Sequence, residues 1–400
     1  MRQGWRWYGP GRDGVSLDDI RQAGATDIVT SLHDVPIGEA WTASAVAARK
    51  SLIENGPAGR AALVWSVVES IPIPDVVKRE GGRAKREIEA WIASLEALAA
   101  NDIRTVCYNF MPVVDWTRTD LDHVLPTGAT ALRFDFERFA AFDLHILARD
   151  GAAAEYTDEE RRRARATYEA MSQAEIDGLV TTIASALPGS TTESMTIEGF
   201  RERLRLYAGI GPAELRRHLI EFLEVVTPAA ERLGIRLTLH PDDPPRPLFG
   251  LPRVASTEAD YAALFKAVPS PANGMCFCTG SLGVRADNDL PGIAERLAER
   301  IHFVHLRATK READPRSFHE AAHLSGDADM VAILRNLVAA DAKRPAERHL
   351  VFRPDHGHRM LDDLGKTVNP GYAAIGRLKG LAELRGILYA LGAPPSGEPR

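Results

Sequence analysis

The sequence predicts a (β/α)8 TIM barrel with a helical insertion after its fourth strand. Eight short runs rich in apolar and β-branched residues recur along the chain. Continuous runs of that kind are how strands covered on both faces of a parallel sheet read. Helix-patterned stretches separate most of them, which implies a barrel wrapped by helices. Residues 111–212, between the fourth run and the next clear barrel helix, are too many for a connecting loop and predict the insertion.

The first strand is expected at Trp5–Tyr8, and Ser16-Leu-Asp-Asp19 then opens a helix in the manner of a capping box. Asp27–Leu32 and Ala62–Glu69 follow as strands two and three. Arg86–Ala99 carries Ile88, Trp91, Ile92, Leu95 and Leu98 at helical spacing and leads to a fourth strand at Thr105–Phe110. The insertion, about residues 113–212, holds helix starts at Thr157-Asp-Glu-Glu160 and Ser172-Gln-Ala-Glu175, with turns at Pro188-Gly189 and Gly209–Pro212. Because it leaves a strand's C-terminal end, it is expected at the barrel mouth as a lid or oligomer contact. Its charged run Glu159-Glu-Arg-Arg-Arg163 reads as a solvated helix face. Leu215, Leu219, Phe222, Leu223, Val226, Ala230 and Leu233 trace one face of a helix into the fifth strand, Arg236–His240. The last three strands are expected at Met275–Thr279, Ile301–Leu306 and Leu350–Asp355. One catalytic domain over residues 1–391 and a flexible, Pro- and Gly-rich tail at 392–400 complete the expectation.

A hydrophobic share of 45% suits a packed core, and a net charge of −6 argues against a generic nucleic-acid binder, which needs a basic face. Three cysteines, Cys107, Cys276 and Cys278, cannot all pair, which points to a reducing compartment. The N-terminus lacks an apolar signal region and no run approaches a membrane span, so a cytoplasmic protein is expected.

The last four strands each stop in a residue able to bind a divalent cation: His240, Cys278, His305 and Asp355. In a parallel barrel all strand C-termini open on one mouth, so ligands spread along the sequence converge there. Any one of them alone could be a packed core residue; four together point to one ion. A cation also stabilises a thiolate and a carboxylate that would be costly to crowd into a dry site. Ligand type leaves the metal open. A thiolate with two imidazoles favours zinc, iron or cobalt, whereas a carboxylate and an oxygen-rich substrate pull toward manganese. His302 has the parity opposite to His305, and Cys276 lies deeper than Cys278, where packing is expected. Tyr8, His33, Glu69 and Asn109 at the ends of the earlier strands would ring a polyol with donors and acceptors, or equally serve caps and loops. Arg307 and Arg353 suit bidentate binding of a carboxylate, or a structural ion pair. His319-Glu-Ala-Ala-His323 fits the zinc-protease pattern literally, but it sits in a barrel loop; shaping the mouth or binding substrate is the better role for His323.

These residues lie within longer strings, among them Trp5-Arg-Trp-Tyr-Gly9, Val106-Cys-Tyr-Asn-Phe-Met-Pro112, Asp115-Trp-Thr-Arg118, His240-Pro-Asp-Asp-Pro-Pro-Arg-Pro247, Cys278-Thr-Gly-Ser281, Val284-Arg-Ala-Asp-Asn-Asp289, Phe318-His-Glu-Ala-Ala-His-Leu324, Arg353-Pro-Asp-His-Gly-His358 and Pro370-Gly-Tyr372. Through them the chain resembles the mannonate dehydratase family along nearly its whole length, departing at Leu282, where the family carries tyrosine. The resemblance implies a metal-dependent barrel of the xylose-isomerase-like type. It implies dehydration of D-mannonate to 2-dehydro-3-deoxy-D-gluconate in hexuronate breakdown. Manganese is the ion it implies, with ferrous iron as the substitute. The implied ligands are His240, Cys278, His305 and Asp355, and the implied acid/base pair is His356 and Tyr372. A homo-oligomer, dimer or higher, is expected, with a small sugar acid as substrate and no nucleic-acid or membrane partner. The competing readings are a sugar isomerase or epimerase on the same barrel, an endonuclease for abasic DNA, and a non-catalytic sugar-acid binder.

Overall fold

The computed structural model describes residues 1–184 and 195–395, so the Pro188-Gly189 turn and residues 396–400 of the expected tail lie outside the described residues. Among the described residues the strands are β1 (Arg2–Arg6), β2 (Asp27–Thr30), β3 (Val64–Glu69), β4 (Thr105–Tyr108), β5 (Asp120–Val124), β6 (Thr130–Phe134), β7 (Arg236–Leu239), β8 (Asn273–Cys278), β9 (Ile301–His305), β10 (Ala308–Arg311), β11 (Phe318–Ala321) and β12 (Val351–Arg353). Eight of them close a barrel in the order β1-β12-β9-β8-β7-β4-β3-β2, and each neighbouring pair is parallel. The (β/α)8 barrel is therefore the fold.

Side chains alternate across a strand, so every second residue points into the barrel. Val29, Val67, Cys107, Cys276, Phe303 and Val351 form one buried layer inside it. Gly4 completes that layer: a Cβ there would meet Val351 Cγ1 at 2.8 Å. One inward step further along the strands come Arg6, Glu69, Asn109, Cys278, His305 and Arg353. The barrel thus carries an apolar plug with a polar ring directly above it. Phe303 is the floor under His305, with ring centroids 4.8 Å apart. His302, of opposite parity, hydrogen-bonds the Pro271 carbonyl at 2.9 Å, as its outward position requires.

The helices start where the sequence signals them. Ser16 and Asp19 form a capping box, as do Thr157 and Glu160. The Ser172 amide and hydroxyl both donate to Glu175. Lys85–Ala99 and Pro212–Arg232 bury their apolar faces on the barrel.

Two expectations need correction. The first strand begins at Arg2 rather than Trp5 and ends at Arg6. Its polar start reads as loop, yet Arg2 is held by an ion pair to Asp27, and Gln3 is buried against Arg385. Tyr8 has already left the sheet, its amide donating to Asp13 Oδ2 at 2.9 Å. The insertion, moreover, is not purely helical. It opens with β5 and β6, which join β10 and β11 in a four-stranded antiparallel sheet ordered β10-β11-β6-β5. That sheet links excursions that follow β4 and β9. It packs with the insertion helices around a second core that includes Phe134, Phe139, Phe142, Phe200, Phe249 and Phe318.

Candidate active site

The mouth of the barrel opens into a cavity lined by residues from the strand ends, from the loop after β4 and from the loop after β12. At its base the potential ligand atoms of His240, Cys278 and His305 all lie within 4.8 Å of one another. Strand register brings them there: Cys278 pairs with His305 and His305 with Arg353. His240 Nδ1 lies 2.7 Å from the Pro241 carbonyl. A carbonyl only accepts, so Nδ1 carries the proton and Nε2 keeps its lone pair. Burial holds His240 below the ordinary imidazole value, against the raising influence of Glu69, Asp355 and Asp243, which favours the neutral ligand form. Cys278 Sγ accepts from both the amide and the hydroxyl of Ser281, at 3.4 and 3.3 Å. The His305 ring nitrogens are buried with no hydrogen bond of good geometry, and Glu69 Oε2 lies 3.4 Å from Nε2. A half-buried imidazole, a buried imidazole without a well-formed hydrogen bond and a buried thiol fit a divalent cation.

Asp355 stands beside this group rather than inside it. Its Oδ2 is 3.8 Å from Cys278 Sγ and 3.9 Å from His305 Nδ1. Arg353 contacts Oδ1, and Arg307 lies 3.3 Å from Oδ2. Burial alone would raise its pKa, but Arg353, His356, His305 and Arg307 together hold it well below the usual carboxylate range.

Asp355 belongs to an unbroken buried ion chain. Arg6 meets Glu69 at 3.2 Å, and Glu69 meets Arg353 at 2.8 Å. Arg353 reaches Asp355, and Asp355 reaches Arg307. Arg307 then meets Asp243 at 2.8 Å, Asp243 meets Arg118 at 2.8 Å, and Arg118 meets Glu320 at 2.9 Å. Four arginines alternate with four carboxylates, so the chain is neutral in itself. Breaking a buried pair by removing one partner typically costs about 3–5 kcal/mol, so this alternation fixes the wall of the cavity. Glu320, in turn, lies 3.1 Å from His356 Nδ1. Burial tends to raise Glu320, but Arg307, His356 and Arg118 hold it at about 2. Its carboxylate therefore accepts the Nδ1 proton and leaves His356 Nε2 with a free lone pair.

Tyr372 stands edge-on to His356, with ring centroids 5.2 Å apart, and edge-on to Tyr8 at 5.0 Å. Burial pushes Tyr372 above the ordinary phenol value although Arg353 opposes it, so its hydroxyl stays protonated. Two polar atoms on residues of the cavity wall, Asn109 Oδ1 and Trp116 Nε1, have no hydrogen-bond partner among the described residues. They are groups a polyol can satisfy.

Of the residues singled out in the sequence, Tyr8, Glu69, Asn109, His240, Arg307, Arg353, Asp355, His356 and Tyr372 line the cavity. Glu69, Arg307 and Arg353 do so already engaged in ion pairs. His33 does not line it: the ring stacks on Tyr8, centroids 5.7 Å apart. Burial and Arg6, Arg49 and Arg12 push it well below the ordinary imidazole value. His323 is also off the wall. Its ring packs so closely on Gly380 of the C-terminal helix that a Cβ there would come within 2.2 Å. Burial lowers it to about 4, despite Glu383 and the Leu306 backbone. Nor does the His319-Glu-Ala-Ala-His323 string form a helix; Phe318–Ala321 is strand β11.

Arg6, Trp116, Arg118, Asp243 and Glu320 also belong to the site or its ion chain. None of them ends an apolar run, so strand-end position does not mark them in the sequence.

The family model of D-mannonate dehydratase (UxuA) matches residues 1–394. A mannonate dehydratase of Brucella canis is 67% identical over 393 residues, covering 98% of each chain. One from Marinomonas sp. is 53% identical over 394 residues, covering 98% of this chain and 99% of the relative. The crystal structure of a mannonate dehydratase from Streptococcus suis serotype 2 superposes with a TM-score of 0.75 at 31% identity, covering 100% of this chain and 97% of that one. Among the described residues no helix is long and apolar enough to cross a membrane. With a ligand cluster at the barrel mouth, and a family match spanning both the barrel and its insertion, the chain belongs to the D-mannonate dehydratase (UxuA) family.

Proposed function

We propose that this chain is a metal-dependent hydro-lyase that converts D-mannonate to 2-dehydro-3-deoxy-D-gluconate and water in hexuronate catabolism. The convergence of His240, Cys278 and His305 beneath an acid/base pair carries this reading, together with relatives that are mannonate dehydratases. His240, Cys278, His305 and Asp355 would hold the cation, manganese by family resemblance or ferrous iron. When bound, it would supply electrostatic stabilisation of the negative charge that builds on the substrate, worth several kcal/mol.

Charge balance supports an acidic substrate. The buried ion chain is already neutral, so a divalent cation, the Cys278 thiolate and one substrate carboxylate add to zero. The reaction removes the proton beside the carboxylate and expels the neighbouring hydroxyl. His356 is the base: Glu320 holds its proton on Nδ1, so Nε2 can take the substrate proton. Tyr372 is the acid, its hydroxyl kept protonated by burial and able to protonate the departing hydroxyl. Each such transfer is typically worth on the order of 10²–10⁴-fold. Arg307 and Arg353 line the cavity as members of the neutral ion chain and offer the nearest guanidinium groups to the substrate carboxylate, and Tyr8, Asn109 and Trp116 meet the substrate hydroxyls. A cytoplasmic location accords with three free, buried cysteines. A homo-oligomeric assembly is part of the same reading, and light scattering would measure it directly.

The test is turnover of D-mannonate by metal-stripped protein before and after manganese is added. Formation of the keto-deoxy acid only after addition is expected. No keto-deoxy acid under either condition overturns the assignment, and an isomerised or epimerised sugar acid transfers it to the rival class.

A further inference from the structure

The antiparallel sheet over the mouth carries a second cluster of ligand-type side chains that the dehydration chemistry does not use. Ligand atoms of His123, Glu312 and His319 all lie within 4.8 Å of one another. The three come from separate segments: β5, the turn after β10, and β11. His319 Nδ1 is 3.2 Å from Glu312 Oε1, and the His123 and His319 rings have centroids 5.7 Å apart. All three are half-buried.

Sheet register explains how they meet. His319 pairs with Arg133 of β6, and Arg133 pairs with Asp120 of β5. The register then shifts between Asp120 and His123. A bulge of this kind re-aims a side chain. Here it places His123 on the same face as Asp120, with Nδ1 4.0 Å from Asp120 Oδ2. Two imidazoles and a carboxylate, backed by a further carboxylate, are the donor set of zinc-like divalent transition cations, not of calcium or magnesium.

We propose that His123, Glu312 and His319 form a second binding site for a zinc-class transition-metal ion, which clasps β5 to β11 on the outer face of the sheet. Arg133 is the competitor, donating to both Glu312 oxygens at 2.8 and 2.6 Å. It also has Asp135 at 3.0 Å, so it keeps an anionic partner when Glu312 turns to a cation. The site bears on the catalytic centre through one strand. Glu320, next to His319 on β11, points to the opposite face and holds His356. A cation on the outer face therefore anchors the strand that positions the base.

Cobalt(II) distinguishes the two sites because only one contains sulfur. Metal-stripped protein titrated with Co²⁺ should bind two equivalents. One brings a thiolate-to-cobalt charge-transfer band from Cys278, and the other brings ligand-field absorption alone. His123→Ala and His319→Ala should each weaken the sulfur-free equivalent by at least tenfold and leave the sulfur band intact, with unchanged circular dichroism confirming the fold. Should His319→Ala not fold, His123→Ala decides alone, since its side chain sits on a hairpin away from the core. A single equivalent in the unaltered protein, or a sulfur-free equivalent that survives His123→Ala at full affinity, overturns the proposal. Loss of the sulfur band alone would count against the Cys278 site and leave this one standing.

Discussion

Glu320→Gln tests the linkage between the ion chain and the base. The carboxylate serves three partners: Oε1 lies 2.9 Å from Arg118 and 3.1 Å from His356 Nδ1, and Oε2 lies 3.3 Å from Arg307 Nε. An amide cannot reproduce this. With its nitrogen at the Oε2 position it turns a donor toward the Arg307 donor; with its nitrogen at Oε1 it opposes both Arg118 and His356. The first arrangement is the less costly, and a buried donor left without an acceptor costs roughly 1–3 kcal/mol. Both arginines keep Asp243 at 2.8 Å, so the stability loss should be about 2 kcal/mol rather than the full cost of a broken ion chain. Turnover should fall further. His356 keeps an acceptor for Nδ1 but loses the negative charge that stabilises its protonated form, so kcat should drop on the order of 10²–10³-fold. The assay is steady-state formation of the keto-deoxy acid from D-mannonate, alongside urea denaturation and metal analysis. Full kcat at unchanged metal content would refute the assignment of His356 as a base oriented by Glu320.

Three further outcomes follow from the same geometry. Cys278→Ala should weaken metal binding by more than the roughly 10–100-fold seen for outer-sphere partners, measured by dialysis against a chelator; unchanged affinity would remove Cys278 from the ligand set. Gly280→Ala should abolish most turnover and destabilise by roughly 1–3 kcal/mol, because a Cβ there would sit 1.8 Å from Arg307 Nε and displace it from Asp243; wild-type kcat with a wild-type denaturation midpoint would contradict this. Glu320 is depressed from 4.5 to about 2, and Arg118 and Arg307 overcome the effect of burial to hold Asp243 low as well. A depressed carboxylate contributes stability that is fully present above its unfolded pKa and lost as pH falls through the folded value. Denaturation midpoints should therefore decline between pH 4.5 and about 2, and a flat profile over that window would show that these carboxylates are not held as described.

The barrel was legible because buried parallel strands are continuous apolar runs, and seven of the eight lie within two residues of the expected bounds at each end. The exception is β1, whose Arg2 and Gln3 are polar residues buried through partners distant in sequence. The antiparallel sheet was not legible for a related reason. Asp120–Val124 is half-exposed and polar, and its partner β6 is joined to the rest of the sheet only through β11, far along the chain. For the site, strand-end position and parity located His240, Cys278, His305 and Arg353. Those cues say nothing about Arg118 or Glu320, which reach the site from the insertion and from β11. His33 and His323 were expected to meet substrate, but neither lines the cavity, because a loop residue's direction is set by what it packs on: Tyr8 in one case and Gly380 in the other.

The central claim is that His240, Cys278, His305 and Asp355 share one cation. An anomalous-difference map from manganese-loaded crystals measures this directly. The account predicts one peak at roughly 2.0–2.5 Å from His240, Cys278, His305 and Asp355, with Asp355 turned from its arginines toward the ion. A peak bonded to other residues, or none at the barrel mouth in a crystal that turns over D-mannonate, would contradict it.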